Sequence, residues 1–169
     1  YGDFVVQTDA QVGRILQSLK EHGFAENTLV IFSADNGAEH YAYPRMNTYQ
    51  HKSSGPLRGL KRDIYEGGHR VPFIARWPGH IPAGQVSGQL TNTTDLFATV
   101  ASIAGHELPA EVAVDSFDML PAMLGTQSPK QSIRPHLLTQ SFRGEFQIRQ
   151  GQCGLTRLRR SVLLLADIK

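Results

Sequence analysis

The run TLVIFS, Thr28 to Ser33, leaves this chain few folds to choose from. It is β-branched and aromatic without alternation, the pattern of a short strand covered on both faces. Before it, Phe4, Val5, Val12, Ile15, Leu16 and Leu19 recur at helical spacing, and Gly23 follows Lys20, Glu21 and His22 where a helix would end. The spacing predicts a helix from about Gly2 to His22. Helix, short polar loop and buried strand are the grammar of an α/β protein with a largely parallel sheet.

The later sequence continues that grammar. RVPFIARWPG, Arg70 to Gly79, reads as a second buried strand with Pro72 near its start. TNTTDLFATVASIAG reads as a helix capped by Thr93 or Thr94, with Asp95 in the first turn and Gly105 at the end. Leu96, Phe97, Val100 and Ile103 form its expected buried stripe. Between Asn36 and Glu66 little periodicity is visible, and Gly, Pro, Ser, Asn and His are frequent. A loop of that length inside a domain is usually functional. After Gly105 the chain is Pro-rich, with a short apolar turn around Met119 to Leu124. HLLTQSF and EFQIRQG then read as a hairpin turning at Arg143-Gly144.

Composition narrows the function. With 169 residues, 40% hydrophobic and 19% charged, the chain is expected to be globular rather than disordered. Lys plus Arg total 17 against 15 acidic residues, a formal charge of +2 that argues against nucleic acid as the main partner. No apolar run approaches the ~20 residues of a bilayer crossing. The lone Cys153 excludes an internal disulfide and a cysteine-based zinc site. The chain begins at Tyr1, directly in helical periodicity and with no signal-peptide pattern, and is expected to be a segment of something longer.

Two stretches carry candidate chemistry. Asp35-Asn36-Gly37 closes the first strand. It reads as an Asn-Gly hairpin turn, or as a strand end offering two hard oxygen donors of the kind calcium and magnesium prefer. Glu39 is the one further carboxylate nearby. In Ser53 to Gly79, Arg58, Lys61, Arg62, His69 and Arg70 crowd a loop before a strand. They read as a solvated basic surface, or as a site for sulfate or phosphate oxygens.

Taken in order, SADNG, the Gly/Ser-rich loop, PLRGLK, YEGG, VPFIARWPG and TTDLFATVASIAG resemble the type I sulfatases of the bacterial arylsulfatase kind, in the alkaline-phosphatase-like superfamily. The resemblance runs from about Tyr1 to Gln150. It implies the C-terminal part of an α/β sandwich with a mostly parallel sheet flanked by helices, over residues 1–130. The start of a small antiparallel subdomain follows over 131–169. It implies a sulfuric ester hydrolase in which Asp35 and Asn36 bind a divalent ion, usually calcium, and Lys61 contacts the substrate sulfate and serves catalysis. Glu66 and Arg70 are expected as structural support, Arg70 against an acid, and His69 is given no role. His40 and His51, in the variable loop near the pocket mouth, read as secondary substrate contacts or simply as exposed loop histidines. The substrate is a sulfated small molecule or glycan, and family analogy places the protein in the periplasm or outside the cell.

The family's nucleophile is a formylglycine made from a Cys or Ser within a C-x-P-x-R motif. That motif is expected to lie outside this chain: Cys153 is followed by Gly, Leu, Thr and Arg. The nucleophile and remaining metal ligands are expected in an N-terminal half outside this chain, and the chain alone is expected to be inactive. After about residue 150 the resemblance stops, and QCGLTRLRRSVLLLADIK reads either as an aberrant terminus or as a divergent strand around Val162 to Leu165. Two alternative functions stay open: a phosphomonoester, phosphodiester or phosphonate hydrolase of the same superfamily, and a non-catalytic module that binds sulfated glycans.

Overall fold

The computed structural model describes residues 1–150 and the backbone of residues 153–158. The first helix, α1, spans Gly2–Glu21, and it ends as its sequence predicts. Gly23 takes φ 76, Phe24 N–H bonds Leu19 O at 2.8 Å and Gly23 N–H bonds Lys20 O at 3.2 Å. Those two bonds satisfy carbonyls that the helix end would otherwise leave open. Val12, Leu16 and Leu19 form a half-buried stripe, but no α1 residue is fully buried, and Phe4 is 71% exposed.

A 3-10 turn, Ala25–Asn27, leads into β1, Val30–Ser33, which pairs with β2, Phe73–Arg76. The pairing is antiparallel, with Phe32 opposite Ile74 and Ser33 opposite Phe73. Among the described residues no parallel pair occurs, so the parallel sheet expected from the apolar run is not seen here. An apolar run reports burial and carries no information on strand direction. Nor are both faces covered. Phe32 and Ile74 lie opposite each other, and Ile74 is 60% exposed. A two-stranded ribbon has too few neighbours to enclose both of its faces.

The long loop is less bare than its composition suggests. Helix α2, Ala42–Tyr49, and the single-turn α3, Glu66–His69, lie within or at the end of it. Pro44 masks α2 in the sequence. It sits in the first turn, where its missing N–H has no partner to lose. Leu60, Ile64 and Ala42 are buried beside these elements, and Met119 and Ala122 are buried beside α4, Asp95–Ile103, and α5, Leu120–Met123.

Helix α4 departs from prediction on its buried face. Phe97 is 57% exposed and Val100 is exposed too, while Asp95 and Thr99 are enclosed. Thr94 is the N-cap residue, yet its hydroxyl caps no helix N–H. Asp95 itself accepts from Asn92 N–H at 2.7 Å and from Phe117 N–H at 2.9 Å. Arg134 clamps the same carboxylate, Nε to Oδ2 at 3.2 Å and Nη2 to Oδ1 at 2.5 Å. Thr99 Oγ1 donates to Asp95 O at 2.7 Å and accepts from Met119 N–H at 2.9 Å. Leu96 and Ile103 of the expected stripe are half-buried, and the polar hub supplies the helix's fully buried residues.

The expected hairpin forms. Strands β3, Leu137–Gln140, and β4, Phe146–Gln150, pair antiparallel around Gly144 at φ 74, and β5, Cys153–Leu158, adds to β4. The proposed strand around Val162 to Leu165 lies outside the described residues. Among the described residues no helix is long and apolar enough to cross a membrane.

Candidate active site

Three glycines bring the candidate site together. A Cβ on Gly37 would sit 1.8 Å from Gly67 O, and one on Gly67 would sit 2.1 Å from Gly59 O. A Cβ on Gly68 would meet Asp63 O at 2.5 Å. Backbones touch at these points because no side chain intervenes. Hydrogen bonds fasten the contact: Gly37 N–H to Gly68 O at 3.0 Å, Lys61 N–H to Ala38 O at 2.8 Å and Gly67 N–H to Arg58 O at 2.7 Å. The segment after β1, the PLRGLK loop and α3 therefore form one unit. The Asn-Gly pair does not make a hairpin turn, because β1 pairs with β2 and the chain after Gly37 packs on the distant glycines.

Asp35 is exposed and Asn36 half-buried at the end of β1. The Asn36 amide nitrogen donates to Gly37 O at 2.9 Å, which leaves its carbonyl oxygen as the open acceptor. A carboxylate and an amide oxygen side by side suit a hard divalent cation. They are a partial set: among the described residues no group of three or more His, Cys, Asp or Glu is placed to hold a metal ion. Asp35 lines a cleft of about 530 Å³ together with Glu66, Arg70, Thr91 and Arg149.

Lys61 is not on that cleft. Its Nζ lies 3.5 Å from Glu39 Oε2, and Glu39 lines a second, larger groove of about 1150 Å³ with Tyr1, Phe4, Arg45, Tyr49 and His51. The backbone thus joins Asp35 and Lys61, while Asp35 lines one of these two clefts and Glu39, the partner of Lys61, lines the other. His51 faces the groove, its ring 5.0 Å from that of Tyr1, whereas His40 stacks on Tyr41 at 4.3 Å and has Nδ1 2.9 Å from Glu39. His69 contacts Ile64 O at 3.0 Å, a packing role.

Glu39 stands out in the sequence only as the further carboxylate near Asp35-Asn36, and the structure makes it instead the shared partner of Lys61 and Arg62. Arg62 bonds its Oε1, Lys61 lies against Oε2, and the His40 backbone N–H donates to it at 3.0 Å. That backbone bond first, and the Arg62 and His40 side-chain bonds next, hold its carboxyl far below the usual carboxylate range. A carboxylate depressed on folding stabilises the fold fully above its ordinary value of 4.5, and loses that contribution as pH falls towards its lowered value. Glu39→Gln should therefore flatten the acid side of a stability–pH curve while leaving its slope near neutrality unchanged, as thermal melts across pH 2–7 would report. Arg62 adopts φ 81, a strained region that costs a non-glycine residue about 1–2 kcal/mol. Such strain persists where surrounding contacts over-determine it, here the Glu39 pair and the Phe142 N–H bond to Arg62 O at 3.0 Å.

Glu66 behaves as a support. Arg149 Nη1 from β4 lies 3.0 Å from both of its oxygens and Arg70 Nη1 lies 3.2 Å from Oε2, which ties α3 to the small sheet. The serine form of the nucleophile motif, S-x-P-x-R, is spelled by Ser54 to Arg58 within the PLRGLK loop, against the expectation that no part of this chain would match it. Ser54 Oγ is buried with no hydrogen-bond partner, Ser54 lines neither cleft, and the Arg58 guanidinium stacks on Tyr65 at 3.8 Å.

Residues 1–106 match the family model described as Sulfatase. The chain belongs to the sulfatase family. An N-acetylgalactosamine-6-sulfatase from Sus scrofa is 50% identical over 124 residues, covering 73% of this chain and 23% of that protein. Arylsulfatase A from Homo sapiens is 42% identical over 154 residues, 90% of this chain and 29% of that protein. Among solved structures, one from work on glycosaminoglycan metabolism by Bacteroides thetaiotaomicron aligns with a TM-score of 0.76 at 32% identity, covering 89% of this chain and 32% of that one. The PsFucS1 sulfatase from Pseudoalteromonas sp. aligns with a TM-score of 0.70 at 30% identity, covering 92% of this chain and 33% of that one. This sulfatase chain spans less than a third of the length of the curated relatives named here. The structural likeness supports an alkaline-phosphatase-like fold, of which the chain supplies α/β elements and small antiparallel sheets.

Proposed function

We propose that the chain forms part of a sulfuric ester hydrolase and contributes two metal ligands and a sulfate-binding cation to its active site. The observation that carries this reading is the glycine-mediated contact that locks the Asp35-Asn36 strand end against the loop bearing Lys61. Asp35 and Asn36 would hold a divalent ion, calcium by family analogy, through side-chain oxygens. A bound calcium would polarise the sulfate oxygens. Lys61 would bind an ester oxygen as a mobile point charge and stabilise charge developing on the leaving oxygen. Glu66, held by Arg70 and Arg149, would keep the α3 glycines seated under that loop. Residues 1–130 would belong to the catalytic α/β domain and 131–169 to the small C-terminal subdomain. The nucleophile, a formylglycine by family analogy, would come from outside this chain, so the chain alone would not turn over an aryl sulfate. The substrate would be a sulfated small molecule or glycan met in the periplasm or outside the cell.

Calorimetric titration of the purified chain tests the assignment. Lys61→Ala should weaken phenyl sulfate binding at least tenfold, the usual scale for a charge-assisted hydrogen bond. Asp35→Ala should weaken calcium binding and leave far-UV circular dichroism unchanged. If neither substitution alters binding of its ligand, the site lies elsewhere.

A further inference from the structure

Lys61 does not stand alone as a cation. Arg62, the next residue, and Lys61 share one carboxylate, Glu39. His40 is the remaining titratable group facing that carboxylate. Two fixed positive charges against one negative leave the Lys61 end with a net charge of about one, not two. Any tetrahedral anion that reaches Lys61 Nζ also comes close to Glu39, because the ammonium and the carboxylate are 3.5 Å apart.

Building on the reading of Lys61 as the sulfate contact, we propose that Glu39 sets the charge this site accepts, favouring a monoanionic ester group, such as a sulfate ester, over the dianion of a phosphate monoester. The two groups are alike in tetrahedral shape and in their acceptor oxygens, so hydrogen bonding distinguishes them poorly. Charge does distinguish them. A phosphate monoester loses its second proton near pH 6 and is a dianion at pH 8, while a sulfate ester carries one charge. Repulsion from Glu39 scales with the charge of the ligand, so it falls twice as heavily on the dianion. The hydrogen bonds Glu39 receives from His40 N–H and Arg62 favour its ionised form, so its charge is present at the pH of the test. Arg62, in its strained conformation, balances part of this charge and keeps the site net positive.

The test uses the full chain at pH 8 and three probes: phenyl sulfate, phenyl phosphate and methyl phenyl phosphate, a diester that carries phosphorus but only one charge. Glu39→Gln should raise affinity for phenyl phosphate about tenfold more than for either monoanion. Arg62→Gln should do the reverse. Glu39→Asp, which keeps the charge, should preserve the native preference, and circular dichroism confirms that each variant is folded. The proposal fails if Glu39→Gln shifts all three probes equally or leaves them unchanged, or if the diester follows phenyl phosphate. Lys61→Ala separates the two levels. Should it leave phenyl sulfate binding intact, or should the unsubstituted chain bind none of the probes, the anion site itself is wrong and this inference falls with it. Should Lys61→Ala weaken binding while Glu39→Gln leaves the preference unchanged, only the role of Glu39 is lost.

Discussion

Replacing Asp95 with alanine is expected to lower the unfolding free energy by about 3–5 kcal/mol, the range for breaking one side of a buried ion pair. Asp95 is 1% exposed and Arg134 5% exposed. The carboxylate accepts from Asn92 N–H, Phe117 N–H, the Thr91 hydroxyl and two guanidinium nitrogens. Alanine would remove this acceptor from all five donors. Arg134 would keep Asp115 O at 2.5 Å and the Phe117 ring 4.6 Å away, neither of which neutralises its charge. The loss is large against a total stability of about 5–15 kcal/mol for a typical domain. Urea titration should show a lower midpoint, and Arg134→Ala should cost a similar amount. The double variant should cost much less than the sum of the two, because each single change leaves a buried group unpaired. A single-variant loss under about 1 kcal/mol would mean that the pair is solvated, and the hub would then not be what anchors α4.

Gly37→Ala is expected to be the most damaging small substitution near the site. Its Cβ would fall 1.8 Å from Gly67 O and 2.8 Å from Gly67 C. These are backbone atoms of a segment whose Gly67 N–H bonds Arg58 O and whose Gly68 O accepts from Gly37 N–H, so no side chain can turn aside. Either the strand end or α3 must move by more than an ångström. Overpacking commonly costs about 1–3 kcal/mol, and a rigid backbone contact belongs at or above the upper end. The displacement should also part Lys61 from Ala38 O, so phenyl sulfate binding should fall along with the melting temperature. Gly13→Ala is the control. That glycine lies in α1 with nothing within 4 Å of a built Cβ, and alanine there should be neutral or stabilising by up to about 1 kcal/mol. Equal stability of the two variants would refute the close-packed site.

Much of the fold is legible in local sequence. The α1 boundary follows from helical spacing and Gly23, the hairpin from Gly144, and the position of β2 from Pro72. These signals are local because caps and turns are satisfied by residues a few positions away. The errors have a common origin. The mostly parallel sheet expected from the apolar runs is not seen among the described residues, where β1 and β2 pair antiparallel, because partner and direction depend on residues forty positions distant. Of the expected α4 stripe Leu96 and Ile103 are half-buried but Phe97 and Val100 are exposed, because the fully buried surface follows the hub of Asp95, Thr99 and Arg134. Pro44 obscured α2, since a proline reads the same in a loop and in a first helical turn.

The sequence by itself was enough to point to the family, to α1, the two first strands and the hairpin, and to Asp35, Asn36 and Lys61 as candidates, because motif order and element ends are written in neighbouring residues. Only the tertiary structure decided what surrounds them. It shows that Gly37, Gly59, Gly67 and Gly68 bring three segments into backbone contact, that Glu66 is gripped by Arg149 from a strand 83 residues away, and that Glu39 stands between Lys61 and Arg62. Close approach and charge pairing are properties of distances in space. Residues far apart in sequence acquire those distances only when the chain has folded.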